Sequence, residues 1–410
     1  MHILLVTSYF EPDQGAAAVR LSRLARQLQA RGHQVTVLTT LPNYPHGRIL
    51  DGYRGKFQVI ENRDGVRVIQ VWLWATRSPK IALRLLSQLS FMFTAALRGL
   101  FLPRPDVVLI EAQPVFTSLA GVFLSRLKRA PYVLNVSDFW PEYLLAVGAL
   151  SASSPLYRIF YWLVNVTFRG ARRIVALHPP LAENIESRIG QGQKIVTIYN
   201  AVDLERFRPG LDITSFRRQH GASDGEKWVT FIGTFGTHMD FETMLDVAAH
   251  FNTRQDVRFV LIGTGGRRGW IEERLAQPDL SRARWIGWLD HADMPLAWNA
   301  SYITFWALHD HDLYRSTLQS KTYEALGCGT PMVIAVEGIT TDLIQRSGAG
   351  ITVPFKDKAG LIAAITRLLD DEAFRRQCSE SARAYAEQNF DPDHVAARYE
   401  AVLLEAAAQG

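Results

Sequence analysis

The sequence predicts an α/β protein built from two doubly wound parallel-sheet domains in series. Three observations carry this reading. Short apolar runs of strand length alternate with helix-period segments along nearly all of the 410 residues. At about 150 residues per domain, that length is enough for two or three domains. The charge also changes sign part-way: residues 1–200 carry 23 basic and 11 acidic side chains, whereas 201–410 carry 22 and 29.

The elements follow in order. His2 to Thr7 reads as a buried strand. The segment from Gly15 reads as a helix with Val19, Leu21, Leu24, Ala25 and Leu28 on its apolar face; Gly32 stops it, and Gln34 to Thr39 is the next strand. Strand, helix, strand in this spacing is a βαβ unit and implies a parallel sheet. Phe57 to Ile60 and Val66 to Val71 flank Asp64-Gly65, a hairpin signal. Val107 to Ile110, Tyr132 to Val136, Arg173 to Ala176 and Ile195 to Ile198 complete the first series. The run Asn200 to Gly210 breaks the pattern where the charge changes sign, and the domain boundary is placed there. Trp228 to Ile232, Arg258 to Ile262, Arg284 to Ile286, Tyr302 to Trp306, Met332 to Ala335 and Ile351 to Val353 form a second series, and the last 50 or so residues read as helical.

Composition excludes several classes. Hydrophobic residues at 48% and charged residues at 21% describe a globular chain. Cys328 and Cys378, the two cysteines, make neither a disulfide framework nor a Cys-x-x-Cys motif and fit a reducing compartment. Tyr9-Phe10-Glu11-Pro12-Asp13 ends the opening apolar run too early for a secretory signal. Ile81 to Leu102 is interrupted by Arg84 and Arg98, which argues against a spanning helix. Arg77, Lys80, Arg84, Arg98 and Arg104 instead bracket Leu85 to Leu97 as a basic amphipathic helix suited to an anionic membrane surface; a core helix with a wet basic face has the same pattern. No nucleic-acid-binding module is recognisable.

In doubly wound sheets, ligands bind beyond the carboxyl ends of the strands. Gly15, in Gln14-Gly15-Ala16-Ala17-Ala18, follows the first strand, where small residues admit a ligand and a helix N-terminus favours an anion; a tight turn needs the same residues. Gly233-Thr234-Phe235-Gly236-Thr237 can cradle phosphate but lacks the Lys-Ser/Thr ending of a Walker loop. Gly263-Thr264-Gly265-Gly266-Arg267-Arg268 carries Arg268 where a dinucleotide fingerprint needs glycine, which argues against a dehydrogenase. Ser320, Lys321 and Glu324 open a helix, where a cation and a carboxylate can hold a phosphate and a ribose diol; a solvated helix end capped by Ser320 is the alternative. Asp138, just after a strand and beside Trp140, can have a raised pKa and act as acid or base, or can cap the helix that Pro141 starts. His309-Asp310-His311-Asp312 matches a metal pattern, but so does Asp391-Pro392-Asp393, and a solvated loop is preferred.

Longer motifs narrow the reading. Arg31-Gly32-His33 before the strand Val35 to Leu38, Tyr199-Asn200-Ala201-Val202-Asp203-Leu204-Glu205-Arg206-Phe207, and Ser320 through Pro331 together resemble the retaining glycosyltransferases of family 4, of the two-domain GT-B type. Pro42-Asn43-Tyr44-Pro45-His46-Gly47, Gly52-Tyr53-Arg54-Gly55, Asp64-Gly65-Val66-Arg67-Val68 and Asp138-Phe139-Trp140-Pro141-Glu142 are similar to the branch of O-antigen and colanic-acid fucosaminyl- or fucosyltransferases. Three departures stand out. Ala201 replaces the usual Gly, Ser316 stands where the family carries a Glu that contacts the donor sugar, and His238, Met239 and Asp240 stand where many members have basic residues.

The resemblance implies an acceptor domain over 1–200, a nucleotide-sugar domain over 201–385, and a terminal helix over 386–410 that packs back on the first domain. It implies transfer, with retention, from a nucleotide diphosphate sugar (UDP-linked, or else GDP-linked) to a polyprenyl-diphosphate-linked glycan. The setting is bacterial surface polysaccharide synthesis, peripheral to the inner face of the cell membrane. Glu324 would hold the ribose; Lys321, Ser320 and the loop Gly233, Thr234, Gly236 the diphosphate; Gly263 and Gly265 the base or ribose pocket. Gly15 would lie near the donor phosphates and Asp138 near the reacting hydroxyl. Neither metal nor cofactor is expected. The rival readings are a non-hydrolysing nucleotide-sugar epimerase, which shares this architecture, and a non-catalytic nucleotide-sugar-binding subunit, which Ser316 suggests.

Overall fold

A computed structural model describes all residues except Gln14, Pro45, Pro79, Val147, Gln409 and Gly410, and the backbone alone of Ala16 and Ala146. Gln14 of the first glycine loop and Pro45 of the Pro42–Gly47 motif therefore lie outside the described residues. The chain forms two compact units: residues 1–200 with 392–410, and residues 201–391.

The first unit runs β1 (His2–Val6), α1 (Ala16–Ala30), β2 (Gln34–Thr40), β3 (Gln58–Arg63), β4 (Val66–Val71), α2 (Ile81–Leu100), β5 (Val107–Glu111), α3 (Val115–Lys128), β6 (Tyr132–Val136), α4 (Glu142–Ala146), α5 (Pro155–Gly170), β7 (Arg173–Ala176), α6 (Pro179–Ile189) and β8 (Ile195–Thr197). Its sheet has the order β3-β4-β2-β1-β5-β6-β7-β8. All pairings are parallel except β3 with β4, joined through Asp64 (φ 51°) and Gly65 (φ 83°) as the hairpin signal predicts. Strands β1, β5 and β6 are buried almost throughout, as a parallel sheet covered on both faces requires. Val6 registers with Leu38 on one side and Ile110 on the other.

The second unit runs α7 (Thr214–Gln219), β9 (Lys227–Ile232), α8 (Phe241–His250), β10 (Val257–Ile262), α9 (Arg268–Leu275), β11 (Ala283–Trp285), α10 (Met294–Ala300), β12 (Ile303–Ala307), α11 (Asp312–Arg315), α12 (Ser320–Gly327), β13 (Met332–Ala335), α13 (Ile339–Ser347), β14 (Gly350–Val353), α14 (Lys358–Asp370) and α15 (Glu372–Asn389). Its six-stranded sheet, β11-β10-β9-β12-β13-β14, is parallel throughout. Both units are thus doubly wound, and their strand order reverses at β1/β5 and at β9/β12, the places where such sheets bind ligands.

The final helix, α16 (Pro392–Ala408), belongs to the first unit, while residues 386–391 stay with the second. Tyr399 donates its hydroxyl hydrogen to Asn135 Oδ1 (2.7 Å), and Glu400 accepts from Arg31 Nε at 2.6 Å and pairs with His33 at 2.7 Å.

One sequence expectation changes. By length and composition α2 is apolar enough to cross a membrane, with mean hydropathy 1.2. Arg84 and Arg98 fall in its first and last turns and leave the middle uninterrupted. In the fold, α2 buries Phe91, Ala95 and Gly99; a Cβ on Gly99 would meet Leu124 of α3 at 2.3 Å. It leaves Phe93 and Leu97 exposed.

Candidate active site

In the second unit, the loops after β9 and β10 meet backbone to backbone. Gly233 has φ 149° and Gly263 φ 137°, and a Cβ on Gly263 would stand 1.9 Å from the Gly233 carbonyl oxygen, so only glycine fits. Gly233 N–H donates to Ile262 O and Phe235 N–H to Thr264 O, both at 2.9 Å. A Cβ on Gly265 would lie 2.5 Å from the Phe235 carbonyl. The Thr234 carbonyl accepts the Gly236 N–H at 2.9 Å.

Lys321 reaches this loop pair from α12. Its ammonium stands 4.3 Å from the Phe231 ring centroid and 4.4 Å from that of Trp306, and a Cβ on Gly233 would lie 3.5 Å from Nζ. Burial holds the amine well below its ordinary value. An anion over the loop would favour the charged form again. One turn on, burial raises the Glu324 carboxyl; the Trp298 indole, donating to Oε2 at 3.0 Å, and the charge of Arg206 oppose that rise. Ser320 is exposed and is the first helical residue. The cap is Gln319, in extended conformation and without a side-chain cap bond, which sets aside the alternative reading of Ser320 as a cap. With its own φ and ψ inside the helix, Ser320 cannot bend its hydroxyl back to the first amides.

In the first unit, Asp138 follows β6. Burial pushes its carboxyl up to about 6, Arg20 counteracts this and Glu111 reinforces it. Arg20 Nη2 donates to Glu111 Oε1 (3.0 Å) and Ser137 Oγ (2.7 Å), and Asn135 Nδ2 donates to Glu111 Oε2 (2.5 Å). Gly15 is the extended residue before α1, with its would-be Cβ 3.1 Å from the Tyr44 ring. Gly233, Thr234, Gly236, Gly263, Gly265, Ser320, Lys321 and Glu324 are thus built into one unit, and Gly15 and Asp138 into the other.

Two family profiles match in succession: the glycosyl transferase 4-like domain over residues 15–201 and the glycosyl transferases group 1 over residues 212–385. The chain belongs to the group 1 glycosyltransferases. It is 20% identical to the putative colanic acid biosynthesis glycosyl transferase WcaI of Escherichia coli K12, covering 96% of this chain and 98% of that one. It is 22% identical to N-acetyl-alpha-D-glucosaminyl L-malate synthase of Bacillus anthracis, covering 98% and 96%. Among solved structures it is similar to sucrose-phosphate synthase from Thermosynechococcus elongatus (TM-score 0.78, 18% identity, 100% of each chain). It is also similar to Anabaena HepE in complex with UDP and glucose (TM-score 0.71, 18% identity, 98% of each chain). These likenesses show the GT-B fold.

Two of the three departures of this glycosyltransferase can be placed in the structure. Met239 is fully buried and pairs with Leu308 in an isolated bridge, while Asp240 caps α8 by accepting from Thr243 N (3.0 Å) and Thr243 Oγ1 (2.7 Å). His238 stays beside the Gly233–Gly236 loop. Its ring lies against Gly236, and burial, Lys321 and His309 all lower its pKa. Ser316 ends α11 beside Arg315, which holds Asp310, Asp312 and Glu337. His311 caps that same helix, so the His-Asp-His-Asp run has structural partners. Asp240, Glu242 and His309 bring ligand atoms within 4.8 Å of one another, but Asp240 is committed to its cap and Glu242 to Arg267. Sequence reasoning missed Trp298 and Trp306. They lie 26 and 15 positions from the residues they serve, and only the fold joins them.

Proposed function

We propose that this glycosyltransferase moves a sugar, with retention, from a nucleoside diphosphate donor, UDP-linked in the first instance, to a polyprenyl-diphosphate-linked glycan in bacterial surface polysaccharide synthesis. The carrying observation is Lys321 set on the Gly233–Gly263 loop pair with Glu324 one turn away. The Lys321 ammonium, beside glycines that admit close approach to the backbone, suits a departing diphosphate, which takes the electron pair of the broken C1–O bond. Glu324 suits the ribose diol. Stabilising the leaving charge is the main electrostatic task, and preorganised donors perform it without reorganisation. Asp138 takes or orients the acceptor hydroxyl proton. The bound UDP in the HepE structure supports the donor class, and the WcaI likeness supports the polysaccharide setting.

The same reading places the protein on the inner face of the membrane. Phe93, Leu97 and Phe101 are 67%, 60% and 76% exposed, and Phe123 and Leu127 of α3, the helix that packs on α2, are exposed too. Arg98 and Arg104 stand close to these residues in sequence, and Lys128 donates to the Leu100 and Leu102 carbonyls. Exposed apolar residues with basic ones nearby fit anionic lipid. Serine at Phe93, Leu97 and Phe101 together should abolish co-sedimentation with phosphatidylglycerol vesicles while leaving nucleotide binding intact; undiminished pelleting would refute the membrane reading.

Calorimetric titration of UDP, GDP, ADP and dTDP tests the donor reading. One nucleotide should bind selectively, with a loss of tenfold or more in Glu324→Ala and in Lys321→Ala. If none binds, the donor-site reading fails; binding without transfer would favour the non-catalytic nucleotide-sugar-binding subunit, and isomerisation of the free nucleotide sugar without acceptor would point to an epimerase.

A further inference from the structure

The first unit holds a cavity of about 250 Å³ beyond the carboxyl ends of β1, β2 and β4, at the strand-order reversal of its sheet. Its walls are the residues after β1 (Ser8, Tyr9), the Asn43–Tyr44 pair, and the first half of α2 (Arg84, Gln88). The lining is dense in hydroxyl and amide groups. Gln88 Oε1 is buried there without a hydrogen-bond partner, an acceptor that needs a donor from a ligand. The Asn43–Tyr44 wall is fixed from behind: both backbone N–H groups donate to Asp13 Oδ1, at 2.8 and 2.9 Å. The Tyr9 and Tyr44 rings meet edge-on, 6.1 Å between centroids, and offer aromatic surface for a sugar ring.

The cavity does not stand alone. It shares Gly47, Leu73 and Thr76 with an open groove of about 530 Å³, which Arg48, Arg54 and Arg77 also line. Gly47 lines both compartments; its φ is 61°, and a Cβ there would stand 2.4 Å from the Thr76 carbonyl oxygen. Among the described residues, four arginines and no carboxylate line the combined space. Arg54 is paired with Asp51, whereas Arg84 makes one long contact with the Ser78 carbonyl (Nε, 3.4 Å). A cavity below the ~300–1,000 Å³ of drug-sized sites, lined by hydroxyls and amides with Arg84 at its wall, is suited to a single ring. A guanidinium-lined groove beside it is suited to phosphate.

We propose that this pair of spaces is the acceptor subsite: a pyranose ring occupies the cavity, donating a hydroxyl hydrogen to Gln88 Oε1, and its attached phosphate or diphosphate lies against Arg84 and Arg77. This deepens the acceptor half of the function proposed above and rests on it. The donor-site assignments involve the other unit, so the two can fail separately.

The test is calorimetric titration of the full chain with N-acetylglucosamine 1-phosphate, and with undecaprenyl-diphosphate N-acetylglucosamine in detergent micelles. Arg84→Ala and Gln88→Leu should each weaken sugar-phosphate binding tenfold or more. Arg84→Lys should restore part of the loss, and UDP affinity should stay within twofold throughout. Arg84 is exposed, so its replacement leaves the fold intact. Micellar binding at least tenfold tighter than soluble binding assigns the subsite to a lipid-linked acceptor; equal binding assigns it to a soluble sugar phosphate. Absence of binding by either probe, or unchanged affinity in both Arg84→Ala and Gln88→Leu, overturns the proposal. Loss of UDP binding in the unsubstituted protein would instead strike the donor reading and leave the cavity result standing.

Discussion

Asp138 shows how a single side chain takes its chemistry from burial. With its carboxyl pushed up to about 6, it is ionised at neutral pH yet more basic than an ordinary carboxylate. If it handles the acceptor proton, transfer rate should fall as pH drops through about 6 and Asp138→Asn should lose about 10²–10⁴-fold in kcat; a flat profile from pH 7.5 to 5 would remove it from the mechanism. The partners that set this pKa were not legible in sequence. Asp138 itself was, because a carboxylate after a strand and before Trp140-Pro141 is a local signal. Arg20, on α1, and Glu111, at the end of β5, lie 118 and 27 positions away and meet it only through the fold. Lys321 and Glu324 were legible for the same local reason, since they share one helical turn. The Phe231–Trp306 ring pair around Lys321 was not, because its members come from two different strands of the sheet.

At the scale of the element, α6 depends on an unusual cap. His178 accepts the Leu181 N–H at Nδ1 (3.3 Å), and burial lowers its pKa to about 4. Protonation at Nδ1 would end that bond. Because the folded pKa lies below the unfolded value of 6.5, the folded state binds fewer protons between the two. The stability contributed by neutral His178 is present above pH 6.5 and is lost as pH falls from 6.5 towards 4. The shift corresponds to about 3 kcal/mol. In His178→Asn, which can cap without titrating, the decline of Tm over that window should be shallower; an unchanged slope would show that other groups control it. Helix and strand existence was well marked by periodicity, and the hairpin by Asp64-Gly65. Short helices such as α4 and α11 were not, since four or five residues are too few to show a period. Where helices start also escaped: Ser320 looks like a cap in sequence, and the chain places Gln319 there instead.

For the whole molecule, the two doubly wound units were readable from the alternation of elements and from the charge reversal near residue 200. The destination of α16 was not contained in its own pattern, because an amphipathic helix does not name the surface it covers; the family resemblance supplied it. Tyr399, buried on Asn135, ties α16 to β6, and Asn135 in turn holds Glu111. Tyr399→Phe should cost about 1–3 kcal/mol, because the buried amide oxygen is left unpaired. The loss should appear in the unfolding transition of the first unit and leave UDP binding unchanged; an equal loss in both units would show that they melt as one.

The place of α16 has one more consequence, for biosynthesis. The polypeptide passes from the first unit to the second after residue 200 and returns after residue 391. On the ribosome, the unit encoded second has all its elements available first. The unit begun first waits for some 190 further residues before its last helix emerges to cover Asn135 and pair with Arg31 and His33. During translation, the nascent first sheet therefore carries an uncovered site for its own missing helix, and completing the second unit is what brings that helix within reach.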